Sequence, residues 1–146
     1  MQIVIAKKAG FCSGVKTAFN RLLEESEKLG SGATLGPIVH NEEVVDYLNE
    51  RSVKAIENFD DAEGAFIAVR THGIGPSALS KLYEMEDILV LDLTCPRVKK
   101  AQEVAASLKN KGIKPIIVGN PEHPEVKGIL EWAGSEAVTV SKVEDL

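Results

Sequence analysis

Short apolar runs alternate with amphipathic stretches along this chain. The apolar runs predict buried strands at residues 2–6, 33–40, 53–56, 64–69, 87–93, 114–120 and 137–140. Between these runs, apolar residues recur three and four positions apart, which is the spacing of one helix face. Because strands and helices alternate, the chain is predicted to have an α/β fold of mainly parallel sheets with flanking helices.

Glycine and proline locate the predicted helices. The first helix is expected to end at Gly30, with an inward face of Val15, Ala18, Phe19, Leu22, Leu23 and Leu29. Later helices are predicted after His40, from Pro76, over residues 97–111 and from His123. Strand, cysteine and helix follow one another at residues 3–29 and again at 88–111. Two copies hint at internal repetition but are too few to establish it.

Composition limits the possible partners. The chain has 146 residues, 44% of them hydrophobic and 27% charged, with a formal net charge of −5. These values are typical of an ordinary globular domain, and an acidic chain does not attract nucleic acid by bulk charge. No apolar run approaches the ~20 residues that span a bilayer, and the N-terminus lacks a charged region before a long apolar one. We therefore predict a cytoplasmic protein without nucleic-acid or membrane partners.

The cysteines and histidines share one kind of position in the predicted fold. Each of them is predicted to lie where the carboxyl end of a strand meets a loop or helix: Cys12, His40, His72, Cys95 and His123. Ligands of open parallel sheets bind outside the carboxyl ends of the strands. Taken singly, each residue has a structural explanation in packing or capping. Together they favour a functional edge of the sheet.

Both cysteines precede predicted helix N-termini, Cys12 before Gly14 and Cys95 before Pro96. A cytosolic chain keeps its thiols reduced, and the positive end of a helix favours thiolate, the form that binds metals. Two such cysteines suit an iron–sulfur cluster, and with one histidine they equally suit a catalytic zinc. His123 and Glu125 form a pair that is able to pass protons, although Glu125 also has the simpler role of a first-turn acid.

Five motifs carry a resemblance to a known family: AGFCSGVKTA, GPIVHN, RTHGIG, DLTCPRVKKA and GNPEHPEVKG. In this order and spacing they resemble the first part of the LytB/IspH family, 4-hydroxy-3-methylbut-2-enyl diphosphate reductase. The resemblance implies pseudo-repeated α/β domains around a central [4Fe–4S] cluster, with Cys12 and Cys95 as cluster ligands. It further implies that His40, His72 and His123 bind the substrate diphosphate. His123 would also lie near the reacting end of the substrate, and Glu125 would supply protons.

The same resemblance implies a domain division and a reaction. Residues 1–93 would form a first α/β domain and residues 94–146 an incomplete second one, whereas a third domain with the third cysteine would be absent. The implied reaction is the reductive dehydroxylation of an allylic diphosphate to isopentenyl and dimethylallyl diphosphate in isoprenoid biosynthesis by the non-mevalonate route. A ferredoxin or flavodoxin would donate the electrons. This chain is then expected to be an N-terminal fragment that is inactive alone.

Two alternatives from other classes remain open at the level of sequence. One is a zinc-dependent hydrolase with Cys12, Cys95 and one histidine as ligands and Glu125 as general base. The other is a non-catalytic module that binds a phosphate-bearing molecule at helix N-termini and histidines. A further hypothesis is an apolar surface that packs against the absent part of the protein, formed by Trp132, Ile129 and Leu130.

Overall fold

The computed structural model describes residues 2–7 and 9–145. In chain order its helices and strands are α1 (Ser13–Leu29), β1 (Gly32–Leu35), α2 (Glu42–Asn49), β2 (Val53–Ile56), β3 (Phe66–Val69), α3 (Pro76–Tyr83), β4 (Leu89–Asp92), α4 (Pro96–Asn110), β5 (Ile116–Val118), α5 (Pro124–Ala133) and β6 (Val138–Val140). Short 3₁₀ turns lie at Phe59–Asp61 and Val143–Asp145. The α/β fold with parallel sheets and flanking helices is therefore confirmed.

A four-stranded parallel sheet forms the main body, in the order β2-β1-β3-β4. In its centre, β1 and β3 pair with Gly32 opposite Phe66 and Leu35 opposite Val69. All four residues of β3 are buried, as expected for a parallel strand covered on both faces. The strand's apolar composition thus follows from its place in the sheet.

The two faces of this sheet have separate apolar cores. One core, which α1 and α2 cover, contains Ala18, Leu22, Ile38, Leu48, Val53, Phe66, Ala68, Leu91 and Leu93. The other core, which α3 covers, contains Ala33, Ile67, Val69 and Leu82. Alternate residues of β3 enter opposite cores because successive side chains of a strand point to opposite faces.

A second, two-stranded parallel sheet consists of β5 and β6. The helices that precede these two strands, α4 and α5, pack against each other. The separation into two sheets accords with two α/β units, but the boundary at residue 93 stays a prediction. Within the described residues, none of the helices has the length and apolar character needed to cross a membrane.

Two predicted strands and one predicted buried position are wrong. Residues 2–6 form no strand, because no neighbouring strand in the described residues pairs with their backbone. The strand predicted to end at His40 ends at Leu35, since Gly36 has a φ of 70° and Pro37 cannot donate a backbone hydrogen bond. Leu29 lies on the exposed end of α1 and not in its buried face.

Candidate functional site

The two cysteines lie at the N-termini of two helices and share one cavity. Cys12 is the N-cap residue of α1 and Cys95 the N-cap residue of α4. Cys12 is exposed, whereas Cys95 is half-buried. The cavity has a volume of about 370 Å³, and its lining includes both cysteines with Thr17, Arg21, Thr94 and Arg97. It is roomier than a site for a single ion, because one water occupies about 30 Å³ of the liquid.

Gly14 allows the two thiols to share this cavity. A Cβ atom at Gly14 would lie 2.8 Å from the Sγ atom of Cys95, which is too close for an ordinary contact. The second residue of α1 therefore touches the thiol at the start of α4. This packing joins the two helix N-termini around the cavity.

Hydrogen bonds hold the turn that carries Cys95. The backbone N–H of Cys95 donates to the carbonyl oxygen of Thr71 at 2.9 Å, and the backbone N–H of Thr94 donates to Asp92 Oδ1 at 3.0 Å. Lys99 Nζ donates to Asp92 Oδ2 at 2.8 Å. Burial raises the pKa of Asp92, but the hydrogen bonds from Lys99 and Thr94 outweigh that effect and lower its pKa overall. The turn is thus built around an ionised carboxylate.

The three histidines form one cluster. The ring centroids of His40 and His72 are 5.7 Å apart, and those of His72 and His123 are 5.5 Å apart. His72 lies in the middle and is half-buried, whereas His40 and His123 are exposed. The loops after β1, β3 and β5 therefore bring together the three histidines that the sequence analysis selected.

His72 has an unusual environment. Burial lowers its pKa, and the charges of Arg70, His123 and His40 lower it further. Near pH 7 its imidazole is therefore neutral and offers one donor and one acceptor. Its Nδ1 atom is buried and has no hydrogen-bond partner among the described residues. Buried polar atoms in proteins normally bond to a protein group, an ordered water or a bound molecule.

His123 and Glu125 are in contact, but not through the carboxylate. His123 is the N-cap residue of α5, and its Nδ1 atom accepts the backbone N–H of Glu125 at 3.2 Å. Glu125 is half-buried in the first turn of the helix. The arrangement satisfies an open N–H group at the helix N-terminus and fixes the His123 ring. The predicted roles of both residues stay predictions.

The placement of possible metal ligands bears equally on the zinc alternative and on an iron–sulfur site. Across residues 2–7 and 9–145, no three histidine, cysteine, aspartate or glutamate side chains are placed so that they could together hold a metal ion. The two cysteines and one histidine proposed as zinc ligands are therefore not assembled into a zinc site. The thiols and the imidazoles instead form two neighbouring groups.

The polar contacts that support these groups join residues far apart in the sequence and could not be predicted from it. Trp132 is half-buried, and its indole N–H donates to the carbonyl oxygen of Ile74 at 3.0 Å. The hydroxyl of Thr71 donates to the carbonyl oxygen of Ile38 at 3.4 Å. Only the motif RTHGIG, which contains both Thr71 and Ile74, signalled that this loop had a special role.

Comparisons with known proteins agree with this geometry. The sequence model of the LytB protein family matches residues 3–146. The chain is 41% identical over 145 residues to the 4-hydroxy-3-methylbut-2-enyl diphosphate reductase of Geotalea daltonii, covering 99% of the chain and 51% of that protein. With the reductase of the same name from Dehalococcoides mccartyi it shares 38% identity over 146 residues, which cover all of the chain and 51% of that protein.

Solved structures show the same likeness. A structure of (E)-4-hydroxy-3-methyl-but-2-enyl diphosphate reductase, the terminal enzyme of the non-mevalonate pathway, superposes with a TM-score of 0.81 at 38% identity, over 98% of this chain and 52% of that one. The corresponding reductase from Plasmodium falciparum gives a TM-score of 0.86 at 26% identity, over 95% and 44%. This chain spans about half the length of the curated relatives it matches. The chain belongs to the LytB family.

Proposed function

We propose that this chain provides the diphosphate-binding histidines and two cluster-binding cysteines of a 4-hydroxy-3-methylbut-2-enyl diphosphate reductase. The reaction adds two electrons and two protons to an allylic alcohol, breaks its C–O bond and releases water. The products are isopentenyl and dimethylallyl diphosphate. A small protein of the ferredoxin or flavodoxin type supplies the electrons. The names of relatives at about 40% identity support this assignment.

The histidine cluster is the observation that carries the proposal. Three imidazoles, each able to donate an N–H, lie with ring centroids 5.5 and 5.7 Å apart, and the buried Nδ1 atom of the central ring lacks a partner in the described residues. A diphosphate has several anionic oxygens, which form strong hydrogen bonds with such donors. His40, His72 and His123 therefore suit the diphosphate end of the substrate.

The cysteine cavity fits part of an iron–sulfur site. Thiolates normally supply most of the protein ligands of a [4Fe–4S] cluster, and Cys12 and Cys95 supply two at one cavity that is large enough for more than an ion. When bound, the cluster would deliver electrons and offer a Lewis-acidic iron to the substrate hydroxyl. The Cys95 N–H donates to the carbonyl of Thr71, which precedes His72, so a backbone hydrogen bond joins the turn of Cys95 to the loop that carries His72.

Glu125 is the proposed source of protons. It follows His123 in the first turn of α5, so that a substrate held by the three histidines would have this carboxyl group nearby. A general acid must reach the atom that it protonates, directly or through one water. The domain division proposed from the resemblance, residues 1–93 and 94–146, places Glu125 and Cys95 in the second unit and His72 in the first.

Titration calorimetry with inorganic diphosphate tests the anion site independently of the cluster. We expect binding by the unchanged chain, a loss of about tenfold or more in affinity for His72→Ala, and little change for Cys12→Ala, since one charge-assisted contact contributes ~1.5–3 kcal/mol. A matched control is Tyr83→Phe, which removes only the hydroxyl group of an exposed side chain on α3. Equal affinity in His72→Ala and the unchanged chain would contradict the proposal.

Iron and sulfide analysis after anaerobic reconstitution tests the thiol site. The expected result is that any bound iron and sulfide disappears in both Cys12→Ala and Cys95→Ala, whereas His72→Ala retains what the unchanged chain binds. Metal that persists in either cysteine variant would rule out that cysteine as a ligand.

A further inference from the structure

The loop at residues 70–75, which carries His72, lies tightly against α4. Its turn is closed by a hydrogen bond of 3.0 Å from the Gly73 N–H to the Arg70 carbonyl oxygen. Gly73 has a φ of 68°, and a Cβ atom there would lie 2.6 Å from Nε2 of Gln102 and 2.9 Å from Cγ2 of Thr94. Glycine is needed here for both its conformation and its size. The loop backbone is therefore pressed against the side chains of its neighbours.

The carbonyl oxygen of Ile74 accepts two hydrogen bonds from distant parts of the chain. Trp132 Nε1 donates at 3.0 Å and Gln102 Nε2 donates at 3.4 Å. Gln102 is only 6% exposed on the inner side of α4, so its amide depends on partners within the protein. A buried donor left without an acceptor is costly, which favours one position of the loop over others.

The two donors on the Ile74 carbonyl oxygen, Gln102 and Trp132, are called the clamp below. Helix α5 connects the clamp with the histidine cluster. His123 caps its N-terminus, Trp132 lies near its end, and the buried Gly128 between them packs on the loop: a Cβ atom at Gly128 would lie 3.8 Å from the Ile74 carbonyl carbon. Because one helix carries both His123 and Trp132, fixing Ile74 on Trp132 also fixes His72 relative to His123.

We propose that Gln102 and Trp132 are positioning residues: their N–H groups hold the Ile74 carbonyl and thereby keep the His72 ring between His40 and His123. The effect of this positioning on diphosphate binding rests on the proposed function. The placement of the ring is measurable in the free chain. The two parts of the inference therefore have separate readouts.

Two substitutions remove the donors and keep most of the side-chain volume: Trp132→Phe and Gln102→Leu. The first readout is the nuclear Overhauser contact between the His72 and His123 ring protons in the free chain. Trp132 is the only tryptophan, so in the unchanged chain and in Gln102→Leu its indole N–H signal also reports the hydrogen bond to Ile74. We expect the ring contact to weaken in both variants, more in Trp132→Phe because its bond is shorter, and most in the double variant.

The second readout is the affinity for inorganic diphosphate. The expected loss in the double variant is about tenfold, equivalent to ~1.4 kcal/mol of binding free energy. Val140→Ala is the control, because it truncates a buried residue of β6 and lowers stability without removing either donor. Gln102→Leu alone serves if the double variant does not fold.

The outcomes separate the two proposals. Unchanged ring contacts and affinity in the clamp variants, or equal losses in Val140→Ala, would overturn the positioning role. If the unchanged chain binds no diphosphate but the ring contact still weakens in the clamp variants, the positioning role stands and the proposed function fails.

Discussion

The two cysteines occupy equivalent places at helix N-termini, but the segments that lead to them differ. Cys95 follows β4, which pairs with the buried strand β3. Within β4, the side chain of Leu91 is only 3% exposed. Cys12 follows residues 2–7, in which Val4 is 82% exposed and no strand is formed. The two segments have similar apolar sequences. One is part of the sheet and the other is not.

This difference shows what an apolar run does and does not determine. An alternating or continuous apolar run supplies side chains that are able to be buried, but the strand also needs a neighbour for its N–H and C=O groups. The backbone of β4 has that neighbour in β3, and the Cys95 turn is then fixed by Thr71 and Asp92. Residues 2–7 lack it within the described residues, so the position of Cys12 follows from the helix α1 that it caps and not from a strand.

Shortening one side chain in each segment should therefore change the free energy of unfolding by very different amounts. This is the largest difference we expect. Leu91→Ala removes a buried side chain of β4 and should lower the free energy of unfolding by about 2–5 kcal/mol. Val4→Ala removes an exposed side chain and should change it by less than ~0.5 kcal/mol. Urea denaturation followed by circular dichroism measures both values.

The result for Val4→Ala also decides whether the comparison between the two segments is correct. A loss of more than about 1 kcal/mol in Val4→Ala would mean that residues 2–7 are packed in solution. Val118→Ala, a second exposed valine of comparable exposure at 81%, is the matched control.

The next largest expected effect on stability comes from the Asp92 carboxylate, which supports the turn at Cys95. Asp92→Asn keeps an acceptor for Thr94 but removes the charge that binds Lys99, so we expect a loss of about 1 kcal/mol after allowing for screening of the exposed lysine. The lowered pKa of Asp92 means that the unfolded chain binds more protons. This contribution is present above the unfolded value of 3.8 and is lost as the pH falls through the lower folded value.

Unfolding curves of both proteins between pH 7 and pH 2.5 check this sign. The difference in free energy of unfolding between the unchanged chain and Asp92→Asn should be greatest near neutral pH and should disappear in strong acid. A gap that grows with acidification would show that the charge of Asp92 does not stabilise the turn.

Gly14→Ala should change the position of the Cys95 thiol while leaving the free energy of unfolding nearly unchanged. Alanine gains up to ~1 kcal/mol of helix propensity over glycine, but its Cβ atom would meet Cys95 Sγ at 2.8 Å, and the two effects should largely cancel. The thiol must move to another rotamer. We therefore expect a changed alkylation rate at Cys95 and an unchanged rate at the exposed Cys12, as measured by mass spectrometry. A selective change at Cys12 would contradict the contact.

Sequence reasoning succeeded where the signal was local and failed where it was distant. The apolar runs at Val53–Ile56 and Phe66–Val69 are strands because they are short, bounded and β-branched or aromatic. The histidines were found because each follows a strand or a motif. The clamp on Ile74 was not predicted, since its donors lie 28 and 58 residues away in sequence, and no periodic pattern encodes such a contact.

The smallest effect we expect comes from the ion pair on the helix that follows Cys12. Lys28 and Glu25 are 3.1 Å apart in an (i, i+3) arrangement on α1, and the lysine side chain is largely exposed, in contrast to the half-buried Asp92 that anchors the turn at Cys95. Such pairs contribute ~0.2–0.5 kcal/mol and are screened by salt. Lys28→Gln should therefore lower the free energy of unfolding by less than ~0.5 kcal/mol in dilute buffer, and by nothing measurable in 1 M sodium chloride. A larger loss that disappears in 1 M salt would mean that α1 relies on surface charge where α4 relies on the turn at Asp92, whereas a salt-independent loss would mean that Lys28 stabilises α1 by some contact other than this ion pair.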